Sequence, residues 1–97
     1  MKKLQLSGFK ISDEEKSIIN NIIQSYDIKL SRESDYEKLS LRLKKSKHGK
    51  TYLHEIEAKL KIKNKIFNTK VTDYNLFYAV SEALNKILNE LKHYNKK

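Results

Sequence analysis

The sequence predicts an α+β fold in the order β-α-β-β-β-α, with two helices packed on one face of a four-stranded sheet. Leucine and isoleucine alternate with polar residues in short stretches, which is typical of half-buried strands. Two longer stretches repeat apolar residues at the 3.6-residue period of a helix. Three of the strands follow one another through short turns, which favours an antiparallel meander. With 97 residues, we expect residues 1–97 to form a single small domain with one core.

The first strand and the first helix are indicated by their ends. Leucine alternates with polar residues over residues 3–9, and a glycine near the end of this stretch stops the strand. Ser12 and Glu15 have the spacing of a capping box, which marks the start of a helix. Apolar residues then follow at helical spacing: Ile18, Ile19, Ile22, Ile23 and Tyr26. We expect a helix over residues 13–26 and a polar connector over residues 27–35.

The three central strands form a meander with one cationic face. Leucine alternates with lysine, serine and arginine over residues 38–44, so one face of this strand is apolar and the other is cationic. Residues 45–50 have the composition of a hairpin loop, in which Gly49 permits a turn with positive φ. Strands over residues 51–62 and 66–72 complete the meander. We therefore expect the cationic side chains of this central hairpin to project together from one face of the sheet.

A long helix closes the chain. From about Tyr74 the apolar period changes from two residues to 3.6, and the helix is expected to end near Tyr94. Thr72 or Asp73 is suited to cap its first turn. The residues that form its apolar stripe are Phe77, Val80, Leu84, Ile87, Leu88 and Leu91.

Positive charge is concentrated in the middle of the chain. The formal net charge is +9 and the isoelectric point is near 9.7. Residues 38–72 carry eleven basic side chains against two acidic ones, whereas residues 1–37 carry six against seven and residues 73–97 carry four against three. This distribution predicts a polyanionic partner, with nucleic acid first and an acidic membrane second. A lysine-rich face that serves only solubility is the alternative.

Residues for catalysis or metal binding are sparse. The absence of cysteine excludes disulfides and thiolate metal sites and suits a reducing cytosol. His54 and Glu55 resemble the start of a zinc-protease motif, but Ala58 stands where the second histidine belongs. Glu55 and Glu57 share a strand face and are expected to pair with lysine or arginine across strands. We expect no enzymatic activity, no metal, no cofactor and no small-molecule substrate.

Aromatic side chains have two interpretations. Phe67 and Phe77 fall on core faces and are expected to pack there. Tyr52, Tyr74 and Tyr78 lie at the edges of the apolar pattern. An exposed tyrosine beside cationic strands suits stacking on an unpaired base, although a tyrosine at the edge of a core is more common.

Several motifs in order resemble one protein family. Residues 54–58 (HEIEA) resemble an H-x-V-E-A strand, and residues 76–80 (LFYAV) resemble an M-Y-A-A-I helix start. Residues 85–92 resemble a D-K-L-x-x-Q-L-x-K helix body, and residues 6–8 resemble a first strand that ends in glycine. These are motifs of the ribosome hibernation-promoting factors, also called ribosome-associated translation inhibitors. The resemblance is best from residue 54 to residue 97 and implies the same β-α-β-β-β-α fold.

The resemblance also implies a function. It indicates a cytoplasmic protein, not bound to membranes, that lodges between the head and body of the small ribosomal subunit, contacts its rRNA and excludes mRNA and tRNA. Phe9 stands where family members usually have arginine, and Asn89 replaces another usual arginine. Extended family members carry a C-terminal dimerisation module, which does not follow here. We therefore expect a monomer, with weak dimerisation through a sheet edge left open.

The candidate RNA-binding residues come from the central hairpin and the last helix. They are Lys38, Arg42, Lys44, Lys45, Lys47, His48, Lys50, Lys59, Lys61, Lys86 and Lys92. Because the helices are less basic than in the family, we assign the main contact to residues 38–65. A generic module for structured RNA and a basic module that binds an acidic protein remain as alternatives. Affinity for free duplex RNA and pull-down after RNase treatment distinguish them.

Overall fold

The computed structural model describes residues 3–96 of the expected domain 1–97; Met1, Lys2 and Lys97 lie outside the described residues. The elements follow the predicted order. They are β1 (Lys3–Ser7), α1 (Asp13–Glu33), β2 (Lys38–His48), β3 (Thr51–Ile62), β4 (Lys65–Asp73) and α2 (Leu76–Asn95).

The four strands form one mixed sheet in the order β1-β2-β3-β4. β1 is parallel to β2, and the remaining pairs are antiparallel. α1 is the crossover that parallel neighbours require. Both helices start at the end of the sheet where β1 and β4 stop, and they converge at the other end, where the Asn95 side-chain amide donates a hydrogen bond to the Glu33 carbonyl (2.8 Å). The predicted α+β fold is confirmed.

The core lies between the helices and one face of the sheet. Leu39, Leu41 and Leu43 of β2 are buried there and lie opposite Leu60, Ala58 and Ile56 of β3. The stripe of α2 contributes a second set of buried residues, which includes Val80, Leu84, Ile87 and Leu91. Among residues 3–96, no helix is both long enough and apolar enough to cross a membrane.

The first helix extends further than predicted. It ends at Glu33 instead of Tyr26, so the expected polar connector at residues 27–33 is helical. Leu30 is fully buried and continues the apolar stripe of the helix. The Tyr36 hydroxyl donates a hydrogen bond to the Asp27 carboxylate, and burial, followed by this bond, raises the pKa of Tyr36. Tertiary contacts therefore stabilise helical turns that have little local apolar signal.

The start of α2 also differs from the prediction. Its N-cap is Asn75, whose side-chain oxygen accepts a hydrogen bond from the backbone N–H of Tyr78 (3.0 Å). Asp73 acts one step earlier, because its carboxylate accepts from the backbone N–H of Asn75 (2.8 Å). Asp73 thus orients the capping residue, and Thr72 takes no part in the cap.

Gly8 holds the turn after β1 against β2. Its φ is +76°, in the left-handed region that favours glycine. A Cβ at this position would lie 2.3 Å from the carbonyl oxygen of Leu43. Gly49 has a similar φ of +62°, but a Cβ there would meet nothing within 4 Å. Both glycines therefore adopt a backbone with positive φ. Gly8 also allows the turn after β1 to lie close to the backbone of β2.

We expect Gly8→Ala to destabilise the fold more than Gly49→Ala. Both changes force an L residue into left-handed backbone at a cost of about 1–2 kcal/mol. Gly8→Ala adds the clash with Leu43, which raises the loss to about 3 kcal/mol or more. Urea unfolding followed by circular dichroism measures both variants, and an equal loss at the two glycines would contradict the close approach.

Candidate nucleic-acid interface

The open face of the sheet, which the helices do not cover, carries most of the cationic strand residues. β2 alternates between buried leucine and solvent-facing polar residues, as predicted. The pairing registers extend this face across all four strands. Its cations are Lys3, Lys38, Arg42, Lys44, Lys59, Lys61 and Lys70. Within the described strands, its carboxylates are Glu55 and Glu57.

The charged side chains at one end of the open face are all cationic. Lys3, Lys38 and Lys61 lie directly side by side on β1, β2 and β3, where neighbouring strands are about 4.8 Å apart. Lys59 lies two residues further along β3, opposite Ser40. We call these four lysines the lysine cluster. Among residues 3–96 no carboxylate forms an ion pair with any of them. Like charges directly opposite one another destabilise a sheet. An anion bound at the lysine cluster would reduce this repulsion.

The middle of the open face is nearly neutral. This mixed patch contains Arg42, Lys44, Lys70, Glu55 and Glu57. The Lys70 ammonium group lies 3.3 Å from the Glu55 carboxylate, which confirms the predicted cross-strand pairing of Glu55. Glu57 lies in register between Arg42 and Lys70 and accepts a long hydrogen bond from the Asn68 side chain (3.5 Å). Arg42 and Lys44, both candidate RNA-binding residues, therefore lie beside negative charge.

The β2–β3 hairpin extends beyond the rest of the sheet. β1 pairs with β2 no further than Arg42, and β4 pairs with β3 no further than His54. Residues 45–53 consequently form a ribbon with only two strands, which we call the arm. All but one of its residues are exposed. The arm contributes to the elongated shape of the molecule, whose extents are 45 × 24 × 17 Å.

The arm replaces a predicted loop. Residues 45–50 were expected to form the hairpin loop, but β2 continues to His48 and only Gly49 and Lys50 form the turn. The apolar alternation that indicates a strand stops at Leu43. Beyond that point β2 has no apolar residue on either face, so its pairing with β3 continues without a hydrophobic pattern in β2 to indicate it.

The cations of the arm do not share the open face. Lys44 and Lys45 are consecutive strand residues and therefore point to opposite faces. Lys45 and Lys47 lie on the helix side, in register with His54 and Tyr52. The expectation that the whole cationic hairpin projects from one face is therefore wrong for Lys45 and Lys47. Two adjacent lysines in a strand always divide between its two faces.

The base of the arm lies close to the start of α1. The Ser12 backbone and side chain form hydrogen bonds with the Glu15 carboxylate (both 3.1 Å). These bonds lower the pKa of Glu15, and electrostatic interaction with Lys45 and His54 lowers it further. Negative charge at the first turn of α1 thus faces the base of the arm. Lys45 thus lies at the boundary between this acidic turn and the cationic surface that continues through Lys47 to the turn of the hairpin.

The remaining candidates lie apart from the sheet. Lys86 and Lys92 are exposed on α2, in the layer that covers the opposite face. The structure thus divides the candidate residues among the open face, the arm and the helix layer. It also adds Lys3 and Lys70 to the open face. Both alternate with apolar residues in short strands, a signal that the sequence already contained.

Comparison with known proteins reveals the fold but no sequence relative. No model of a protein family matches the chain, and no curated protein matches it. Two solved structures match over nearly the whole length. One is the crystal structure of the N-terminal domain of Thermus thermophilus Protein Y, at 20% identity and a TM-score of 0.63, covering 95% of this chain and 94% of that chain. The other is a ribosomal subunit interface protein from Coxiella burnetii, at 16% identity and a TM-score of 0.68, covering all of both chains.

This chain has their fold. At such low identity the likeness concerns the fold alone, and it matches the architecture that the sequence motifs imply. The match in backbone geometry includes the first half of the chain, where the sequence motifs are weakest.

We expect Lys61→Glu to stabilise the folded protein slightly. The change places a carboxylate directly opposite Lys38 and replaces repulsion with attraction, worth about 0.5 kcal/mol at low salt. The gain should shrink near 1 M salt, where the screening length is only about 3 Å. Urea unfolding at both salt concentrations measures it. Lys63→Glu, in the β3–β4 turn, is the matched control for net charge, and an equal gain there would argue against the lysine cluster as a local feature.

Proposed function

We propose that this protein is a non-enzymatic, ribosome-binding factor that docks on the rRNA of the small subunit. It inhibits translation during dormancy by occupying the path of mRNA and tRNA. The observation that carries this proposal is the lysine cluster, an unneutralised cationic surface on a rigid sheet. The fold shared with Protein Y and with a ribosomal subunit interface protein supports it.

The lysine cluster is suited to a polyanion for an energetic reason. Lys3, Lys38 and Lys61 repel one another in the unbound protein, since each lies beside another lysine in the sheet. Phosphate groups bound between these lysines replace the repulsion with attraction. Binding of the lysines to the phosphates also releases counterions from the RNA. If about six phosphates are neutralised, the affinity falls with a log-log salt slope of roughly −4 to −5.

Selectivity for the ribosome comes from shape. Phosphate contacts fix position and orientation but do not read sequence. Folded RNA is recognised largely through the arrangement of its backbone and its unpaired segments. A rigid, elongated sheet suits such a surface, and its bulk obstructs another ligand without any chemical step. We propose that the protein acts as a monomer in the cytoplasm.

The candidate residues then contribute unequally to RNA binding. Lys38, Lys59 and Lys61, together with Lys3, supply the main phosphate contact. Arg42 and Lys44 contribute less, because the carboxylates of the mixed patch offset part of their charge. Lys86 and Lys92 contact RNA only where the subunit also encloses the helix layer.

We expect the triple variant Lys38→Glu, Lys59→Glu and Lys61→Glu to lose cosedimentation with small subunits on a sucrose gradient. The magnitude of the log-log salt slope of binding should decrease by about 3, because each lost phosphate contact removes about 1. The matched control reverses three exposed cations of α1, Lys16, Lys29 and Arg32, and changes the net charge by the same amount. If the control also loses cosedimentation, the loss is caused by the change in net charge and not by the lysine cluster.

Two further measurements separate this function from the alternatives. The wild-type protein should bind small subunits more tightly than free duplex RNA and should lower the yield of an in vitro translation reaction. Equal affinity for both RNAs would favour a generic RNA-binding module. A partner that remains bound after RNase treatment, with no ribosomal component, would favour a protein-interaction module.

A further inference from the structure

We infer that the helix-side face of the arm is a second RNA contact, which takes an unpaired nucleotide by stacking its base on Tyr52 while Lys45 and Lys47 bind the adjacent phosphates. This inference rests on the proposed function, since it assigns to the arm a second part of the same partner. It differs from the lysine cluster in face and in chemistry, because stacking requires an exposed base and phosphate neutralisation does not.

The first step is the exposure of Tyr52. The side chain is 51% exposed and belongs to the two-stranded arm, which has no third strand beside it. Its face of the ribbon is the one that packs on the core further down the hairpin, but at the arm the helices no longer cover it. Tyr52 is therefore an aromatic ring with no core to pack against. Packing at the edge of the core, the more common role of such a tyrosine, does not account for it.

The second step is the arrangement of cations around that ring. Lys47 lies directly opposite Tyr52 in the β2–β3 register, on the same face. The ammonium group of Lys45 lies 5.9 Å from the centre of the ring, near the outer limit of about 6 Å for a cation–π contact. Such a distant contact does not fix Lys45, so its ammonium group can reach a phosphate beside a stacked base.

The third step is the class of nucleic acid. Surfaces that bind single strands combine aromatic rings with cations that follow the backbone. The bases of a duplex are stacked on one another, so an isolated exposed ring finds a partner only in a loop, bulge or end. Tyr74 and Tyr78 are equally exposed, but among residues 3–96 no lysine or arginine lies over either ring. Tyr94 is 40% exposed and has the Lys65 ammonium group 5.8 Å from its ring centre, but this ring packs edge-on against the buried Phe67. Tyr52 combines an adjacent lysine with a ring for which no aromatic contact is found within residues 3–96.

The lysine cluster and the arm are then expected to contact two different RNA elements. The lysine cluster lies on the open face, whereas Tyr52, Lys45 and Lys47 face the opposite way. The lysine cluster also lies at the opposite end of the β2–β3 hairpin from the arm, beyond the mixed patch. The protein is thus expected to contact a phosphate backbone at the lysine cluster and a separate, unpaired segment at the arm.

The test uses a single-stranded hexanucleotide that contains 2-aminopurine, whose fluorescence falls when it stacks on an aromatic ring. We expect the full-length protein to quench this probe at low salt. Tyr52→Ala should bind about tenfold more weakly, because stacking contributes on the order of 1–3 kcal/mol per base, and should lose the quenching. Tyr52→Phe should retain both, because the ring and not the hydroxyl group makes the contact.

Matched variants isolate the arm. The double variant Lys45→Gln and Lys47→Gln should bind more weakly, with a salt slope reduced by about 2, yet still quench the probe at saturation. Tyr78→Ala removes an equally exposed ring from α2 and should bind and quench as the wild type does. Tyr52 is exposed, so its substitution should leave the melting temperature nearly unchanged. If Tyr52→Ala nevertheless unfolds, the lysine double variant provides the test.

Cosedimentation with small subunits, measured in parallel, separates this inference from the proposed function. Quenching that depends on Tyr52 supports the arm as an RNA contact even if small subunits are not bound. Binding and quenching by Tyr52→Ala equal to the wild type would overturn the inference, whatever the ribosome result. Loss of quenching in Tyr78→Ala instead of Tyr52→Ala would also overturn it.

Discussion

The antiparallel register between β2 and β3 is the constraint on which the rest of the structure depends. It places Leu39 opposite Leu60 and Leu41 opposite Ala58, which forms the centre of the core. The same register places Lys38 opposite Lys61 on the other face. A slip of one residue would exchange the two faces, burying lysines and exposing leucines. The burial that stabilises the fold therefore also holds like charges together, and the cationic surface is a consequence of the core.

The proposed contacts lie at the two ends of the β2–β3 hairpin. The lysine cluster adds repulsion to a sheet that packing already holds in place, and the arm continues the hairpin after the core has ended. Between them, the Lys70–Glu55 ion pair and Glu57 neutralise much of the mixed patch. A two-stranded ribbon with mostly exposed side chains and unpaired edges gains little from burial. The arm therefore adds exposed surface to the hairpin and little stability to the fold.

Most of the fold follows from periodicity, and the errors occur where periodicity is weak. Alternating leucines predicted β2 and its cationic face, and the stripe of α2 predicted that helix to within a few residues. The end of α1 was missed because its last turns contain two apolar residues, of which Ile28 is exposed and only Leu30 is buried by tertiary packing. The end of β2 in the arm was missed because its residues beyond Leu43 have no apolar alternation. In both places the decisive contacts join residues whose local sequence does not reveal the partner.

The sequence by itself determined the order of elements, the apolar face of each long element and the middle third of the chain as the site of the excess charge. These depend on local spacing, since the period of a strand or helix sets the direction of each side chain. Only the tertiary structure decided which charges become neighbours. It brought Lys3 beside Lys38 and paired Lys70 with Glu55. Electrostatic interaction depends on distance through space, and strand pairing sets that distance between residues far apart in the chain.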